Sequence, residues 1–413
     1  MNLYAAIILT TLVANYLLNL LADYLNLKAL REQLPEEFRE VYEAEAYRQS
    51  QAYTRVKTRF GFIASTIDLV LLLAFWFAGG FNGLDQLLRA LHLGTIVTGL
   101  AYVGILLLLN GAVSLPFSLY STFVIEERFG FNKTTPATFV ADLVKGLLLA
   151  IVLGGPLFAT LLWFLEKTGA PAWLYCWGAT TWFMLFVQFI APTWIMPLFN
   201  KFTPLDGGEL KDAILSYAKS VNFALANIFV MDGSKRSRKA NAFFTGFGKN
   251  KRIALFDTLV AQHTVPELVA VLAHEIGHYK KKHILKGMLL SFAHMGVMFY
   301  LLSYFIQHHG LFAAFFMENS SIYAGLIFFA MLFTPLDLVL SILVNIFSRR
   351  NEYEADHFAA ETTGQPENMI TALKKLSVDT LSNLTPHPLL VFLHYSHPPV
   401  LQRIAALRGG QKI

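Results

Sequence analysis

His274-Glu275-Ile276-Gly277-His278 is the stretch of this 413-residue sequence whose side chains could do chemistry together. On an α-helix, residues four apart lie about 40° apart in azimuth and about 6 Å along the axis, so both imidazoles can reach one metal ion. Glu275 falls beside the same point, where its carboxylate can take a proton from a water polarised by zinc and pass it to the leaving amine of a cut peptide. Catalytic zinc needs a third protein ligand and one open position. Glu352, within Arg349-Arg350-Asn351-Glu352-Tyr353-Glu354-Ala355-Asp356-His357, offers that ligand. Asp356 shares its helix face and could orient a ligand imidazole or donate a hydrogen bond near the reacting centre. The competing reading is a charged helix start with Glu354 and Asp356 in water.

The helix that carries the motif is signalled at both ends. Thr264-Val265-Pro266-Glu267 reads as a capping box with proline in the first turn, and Lys280, Lys281 and Lys282 suit a helix C-terminus. The remainder of the chain is built for lipid. It is 55% hydrophobic and only 15% charged, with mean hydropathy +0.49, well outside the range of water-soluble domains. Seven stretches are long and apolar enough to span a bilayer: 3 to 23, 61 to 80, 95 to 118, 146 to 165, 172 to 194, 287 to 307 and 323 to 345. The first reads as a retained helix rather than a removable signal. The single cysteine, Cys176, excludes a disulfide framework or a cysteine-built metal site within the chain.

An odd number of spans puts alternate connections in one compartment. Segments 24 to 60, 119 to 145, 195 to 286 and 346 to 413 hold 7, 3, 14 and 7 lysines and arginines, whereas the other side holds only Arg89 and Lys167. The basic side is therefore expected to be cytosolic, with the chain's N-terminus facing away from it. The net charge of +5 is then a matter of topology, and a nucleic-acid partner loses its support. Segments 195 to 286 and 346 to 413 are long enough together for one compact cytosolic domain. The expected organisation is thus five spans with connectors over 1–194, a metallopeptidase segment over 195–286, two spans over 287–345, and a C-terminal segment over 346–413 that completes the metal site.

Residues 228–231, 241–245 and 252–256 read as short strands, with Gly246, Gly248 and Lys249-Asn250-Lys251 turning the chain between the last two. A strand beside a protease site can bind an extended peptide through its backbone, which makes Asn241 and Ala242 substrate-binding candidates. Asp68, Asn110, His294 and Asp337 interrupt apolar runs without an assignable chemistry. Lys235, Arg236, Arg238 and Lys239 could attract headgroups or a substrate carboxylate, or form a solvated basic loop.

Taken together, the chain resembles the type I CaaX prenyl protease family, integral-membrane zinc endopeptidases of the gluzincin kind. The resemblance is carried by Phe123-Val124-Ile125-Glu126-Glu127-Arg128-Phe129-Gly130-Phe131-Asn132-Lys133, Pro197-Leu198-Phe199-Asn200-Lys201-Phe202, Gly233-Ser234-Lys235-Arg236-Ser237, Asn241-Ala242-Phe243-Phe244, the metal helix, Asn351-Glu352-Tyr353-Glu354-Ala355-Asp356 and Tyr395-Ser396-His397-Pro398-Pro399. It implies His274, His278 and Glu352 as ligands of one zinc ion, Glu275 as catalytic base, and Asp356 as an assisting acid or outer partner of the ligands. It also implies an all-α membrane protein in which seven transmembrane helices enclose a chamber, with a cytosolic α+β metallopeptidase domain carrying a small sheet. His397 and Arg403 resemble positions that contact the substrate carbonyl, and His397 could donate to the oxyanion.

The expected activity is removal of the C-terminal tripeptide from prenylated CaaX proteins or peptides. The expected setting is a bacterial inner membrane or the endoplasmic reticulum, with the lipid bilayer and a peptide, prenylated or not, as partners. General quality control of membrane proteins would use the same catalytic residues. The shorter heat-shock membrane proteases share H-E-x-x-H but have fewer spans. A transporter or channel with a structural metal would need four protein ligands and no Glu275.

Overall fold

The computed structural model describes residues 2–225, 227–245 and 252–409. The turn expected over 246–251 and the last four residues lie outside that range. In chain order the helices are α1 (Leu3–Ala29), α2 (Ala44–Phe77), α3 (Gly80–Arg89), α4 (Thr95–Tyr120), α5 (Pro136–Leu149), α6 (Gly155–Lys167), α7 (Ala172–Ile190), α8 (Glu209–Ser220), α9 (Asp257–Gln262), α10 (Val265–Lys280), α11 (His283–Phe305), α12 (His309–Ala313), α13 (Ile322–Thr363), α14 (Pro366–Asp379), α15 (Pro388–His394) and α16 (Val400–Leu407). The strands are β1 (Phe202–Pro204), β2 (Asn227–Met231), β3 (Ala242–Thr245) and β4 (Arg252–Phe256).

Seven helical stretches among the described residues are long and apolar enough to cross a membrane, and each contains or overlaps one of the seven runs read from the sequence. The helices outrun the apolar text. α2 starts at Ala44 and α13 continues to Thr363, because a helix needs only backbone hydrogen bonds and propensity to go on once it leaves lipid. Three of the crossings contain a π-helical turn, at 121–126, 150–154 and 191–195. Pro156 and Pro192 lie just after or within two of these turns; each lacks an N–H and crowds the preceding turn, which a locally widened helix relieves.

The spans do not form a solid bundle. At the end where α3 and α12 sit they close on one another around a stack of aromatics. There the Phe315 and Phe328 rings lie 3.9 Å apart, Trp76 and Phe315 lie 4.5 Å apart, and the Trp76 indole donates to the Ala314 carbonyl. Beside that plug, buried Asp85 accepts from the Tyr323 hydroxyl and pairs with Arg89 at 2.7 Å. Away from it contacts are sparser, with Phe60 of α2 stacked on Tyr120 of α4 at 5.1 Å. Only 6% of the best apolar window of Pro136–Lys167, and none of that of Ala172–Leu198, is buried, whereas a close-packed helix buries its inner stripe. An apolar cavity of about 830 Å³ lies among α2, α4 and α13, with Asp68 and Asn110 on its wall. His294 stacks on Phe333, with Asp337 3.5 Å from its ring nitrogen. The apolar cavity among α2, α4 and α13 is the part of the expected chamber that Asp68 and Asn110 line.

The other end carries the sheet, ordered β1-β2-β4-β3, with β2 and β4 parallel and the outer pairs antiparallel. β1 has only three residues and was not legible as a strand. One face of the sheet packs on α8, α9 and α10 through Ile214, Ile253, Leu255 and Leu272. Two of the basic residues between β2 and β3 fasten this domain to the spans. Arg236 grips Asp142 with two bonds, at 2.7 and 2.9 Å, and Lys239 donates to Glu126 at 2.8 Å and to the Tyr53 hydroxyl at 3.0 Å. For these two residues the reading as a solvated basic loop gives way to an interdomain clasp, since each is desolvated against a carboxylate.

Candidate metal centre and active site

α10 begins as its sequence requires. Thr264 and Glu267 form the capping box, Pro266 sits in the first turn, and the Glu267 carboxylate also takes a 2.8 Å ion pair from Lys375 on α14. This fixes the helix at its start and from the side. α13 crosses next to α10, and Gly277 permits the approach: a Cβ there would lie 3.2 Å from the Ala355 backbone. Close packing at that point brings Glu352 to the two histidines.

His274 Nε2 and His278 Nε2 lie 3.1 Å apart, and the Glu352 carboxylate oxygens lie 3.5 Å from the first and 3.2 Å from the second. These three side chains each offer a ligand atom, all within 4.8 Å of one another. Two imidazole lone pairs and a carboxylate directed at one point repel unless a cation sits between them. Glu352 Oε2 is buried without a well-formed hydrogen bond, its contacts being Arg403 Nη1 at 3.3 Å and His274 Nε2 at 3.5 Å, so it keeps a lone pair for a cation. Two nitrogens and one carboxylate are a set suited to zinc with an open position. The residues therefore fit a metal ion.

The atoms behind the ligands are also placed. Asp356, 2% exposed, lies 2.8 Å from His274 Nδ1 and accepts from Arg403 Nε and Nη2 at 2.7 and 2.6 Å, with Arg403 Nη2 also 3.4 Å from His274 Nδ1. The 2.8 Å separation is compatible with the role of orienting an imidazole, one of the two read from sequence. The reading of this segment as a charged helix start in water does not hold, for Glu352 and Asp356 are both buried. Arg403 is buried too, its fork taken by Asp356 and its Nη1 3.3 Å from Glu352, so its guanidinium already has protein partners. Glu275 is half-buried next to the two imidazoles. Burial pushes its carboxyl above the usual range, with His274 and His278 pulling it back, and a raised carboxyl suits a group that accepts and then returns a proton.

His397 is exposed, with Nε2 3.4 Å from Glu352 and Nδ1 2.9 Å from the Ser396 hydroxyl. It opens on a cleft of about 830 Å³ that it shares with Arg403, Asn241, Tyr395, Tyr53 and Lys57. Asn241 is exposed there and immediately precedes β3. Ala242 is the first residue of β3, which among the described residues pairs only with β4 and stands at the end of the sheet. His274, His278, Glu352, Asp356, Arg403 and His397 thus come together with Glu275 beside them, Asn241 lines the same cleft, and Ala242 is placed only as its chain neighbour. What sequence reasoning missed is His283, five residues past His278, whose ring faces that ligand.

Comparison with known proteins follows the same division of the chain. A family model described as CAAX prenyl protease N-terminal, five membrane helices, matches residues 23–201, and one described as Peptidase family M48 matches residues 204–411. The chain is similar to CAAX prenyl protease 1 of Saccharomyces cerevisiae, with 36% identity over 92% of this chain and 89% of that protein. It is similar to the CAAX prenyl protease 1 homolog of Arabidopsis thaliana, with 35% identity over 97% and 96% of the two chains. The crystal structure of S. mikatae Ste24p matches with a TM-score of 0.93 at 34% identity, over 98% of this chain and 99% of that one.

Proposed function

The chain belongs to peptidase family M48 and is a multi-pass membrane zinc metalloprotease acting on peptides, and on that premise we propose that it removes the C-terminal tripeptide from prenylated CaaX proteins at one zinc ion held by His274, His278 and Glu352. The observation that carries this reading is the convergence of those three side chains beside Glu275, next to His397 and Arg403, which line a cleft shared with Asn241.

Each residue then has one task. Zinc, when bound there, supplies Lewis acidity that polarises water and the scissile carbonyl. Glu275 takes the proton of the attacking water and delivers it to the departing amine nitrogen. Asp356, locked by Arg403, holds the proton of His274 on Nδ1 and so leaves Nε2 for the ion. Asn241 and Ala242 align the substrate backbone along β3. His397 donates to the carbonyl oxygen as negative charge grows on it.

The thirty-one lysines and arginines on one side support a cytosolic active site. So does the state of the two on the other side, for Arg89 pairs with Asp85 and Lys167 with Glu166.

The test is cleavage by purified protein in sealed vesicles of known orientation. Farnesylated peptide ending in CaaX should be cut faster than its unprenylated twin, and only when added on the side that exposes segment 195 to 286. Equal rates for the two peptides point to general quality control and overturn the substrate reading. Cutting from the opposite side overturns the orientation. On the same peptide, His397→Ala should lower kcat by about 10²- to 10³-fold, as loss of one oxyanion donor does, with metal content unchanged. A normal kcat would leave His397 as the residue before Pro398 and nothing more.

A further inference from the structure

α10 and α11 are joined by Lys281 and Lys282, and Lys282 sits at φ 59° in the left-handed region. A lysine there costs on the order of 1–2 kcal/mol, so the surrounding structure must hold it. The result of that turn is the placement of His283, the first residue of α11. Its ring is buried and folds back beneath the second histidine of the motif, with His283 Nδ1 3.1 Å from His278 Nδ1. Its other nitrogen, Nε2, lies 3.1 Å from Glu354 Oε2. Glu354 is two residues past Glu352, about 200° around the helix, and its second oxygen is 3.3 Å from Arg350.

These contacts admit one arrangement of protons once His278 gives Nε2 to a metal. The His278 proton must then be on Nδ1, and it needs an acceptor. The only ring atom of His283 in reach is Nδ1, which accepts if its own proton is on Nε2. That second proton is donated to Glu354, a carboxylate that can only accept. We infer that Glu354 and His283 form a relay that fixes the tautomer and ring plane of His278, and so set how tightly the metal is held. The inference rests on the metal reading proposed above. The two ligand histidines would then be steadied by different means: His274 directly by a carboxylate, His278 through a neutral imidazole. His283 and Glu354 are positioning residues, and both stand on helices that cross the membrane.

Zinc affinity, read by competition with a chromogenic chelator, tests this without reference to turnover. A cavity of about 350 Å³ borders His278 and His283, so water can enter in His283→Ala and accept in part. The affinity of that variant should fall about 10-fold, the lower end of the range for lost outer partners of metal ligands. His283→Asn places a carbonyl oxygen where Nδ1 was and should stay within about threefold of the parent protein. Glu354→Ala should weaken zinc in the parent background but add nothing in His283→Ala, because the two act in series. His283→Ala binding zinc as the parent does would overturn the relay. So would equal losses in the Ala and Asn variants, accompanied by equal drops in the melting temperature of the metal-free protein, since the ring would then be mere filling. A parent protein that binds no zinc would overturn the metal reading itself, a result distinct from either.

Discussion

Glu275→Gln should keep its metal and lose about 10²- to 10⁴-fold in turnover, the range for removing a positioned general base. The three atoms that converge on one point belong to His274, His278 and Glu352, so the ion does not need Glu275. Glutamine preserves the shape of the side chain on a helix whose neighbours Ala273, His274 and Ile276 are buried, and the helix itself should not notice. What disappears is an acceptor able to take a proton from water and return it. Metal analysis and peptide cleavage on a single preparation check this. Activity within a few-fold of the parent protein would sink the mechanism, and loss of metal along with activity would show that Glu275 belongs to the ligand set.

Glu352→Ala should fail at an earlier step, by losing the ion. Its carboxylate lies 3.2 and 3.5 Å from the two imidazole nitrogens, and no other carboxylate among the described residues shares that cluster. Affinity should fall by more than the roughly 10- to 100-fold typical of an outer partner. Asp356→Ala makes the informative contrast. It strands the guanidinium of Arg403, a buried charge whose Nε and Nη2 both donate to Asp356, and breaking such a pair costs about 3–5 kcal/mol. That variant should lose folding stability with a milder loss of metal affinity, while Glu352→Ala should do the reverse. Chelator competition and thermal unfolding on both proteins separate the two. Unchanged zinc affinity in Glu352→Ala would remove that residue from the ligand set.

The parts of this molecule that sequence revealed are those in which one periodicity does all the work. Four-residue spacing put His274 with His278 and Glu352 with Asp356, because a helix repeats near that interval. Eighteen or more apolar residues marked each crossing, because lipid tolerates little else. The boundaries were less legible, as with α2, whose first turns from Ala44 carry Arg48, Arg55, Lys57 and Arg59 and look like a connector. Arg403 stands on the cleft wall, as a substrate contact would, but its pairing with a carboxylate 47 residues earlier was not legible, since nothing near it in the sequence announces that partner. His283 escaped for a different reason. Five residues on from His278 is off the face of a continuous helix, and only the left-handed Lys282 brings the ring back.

α13 is one unbroken helix of 42 residues that begins in the apolar stretch and ends beyond the metal site. Its lipid-compatible run was read as ending near residue 345, seven residues before Glu352, which at about 1.5 Å per residue puts the carboxylate roughly 10 Å past the end of that run. The rod therefore acts as a gauge. It fixes the distance along the helix between the end of that apolar run and Glu352. The gauge is also phased, because one residue inserted between 345 and 352 would turn Glu352 by about 100° relative to the buried spans, whereas four would nearly restore its azimuth and raise it by about 6 Å. The meeting of Glu352 with His274 and His278 is in this way tied to the length of a helix most of whose residues lie far from any reacting atom.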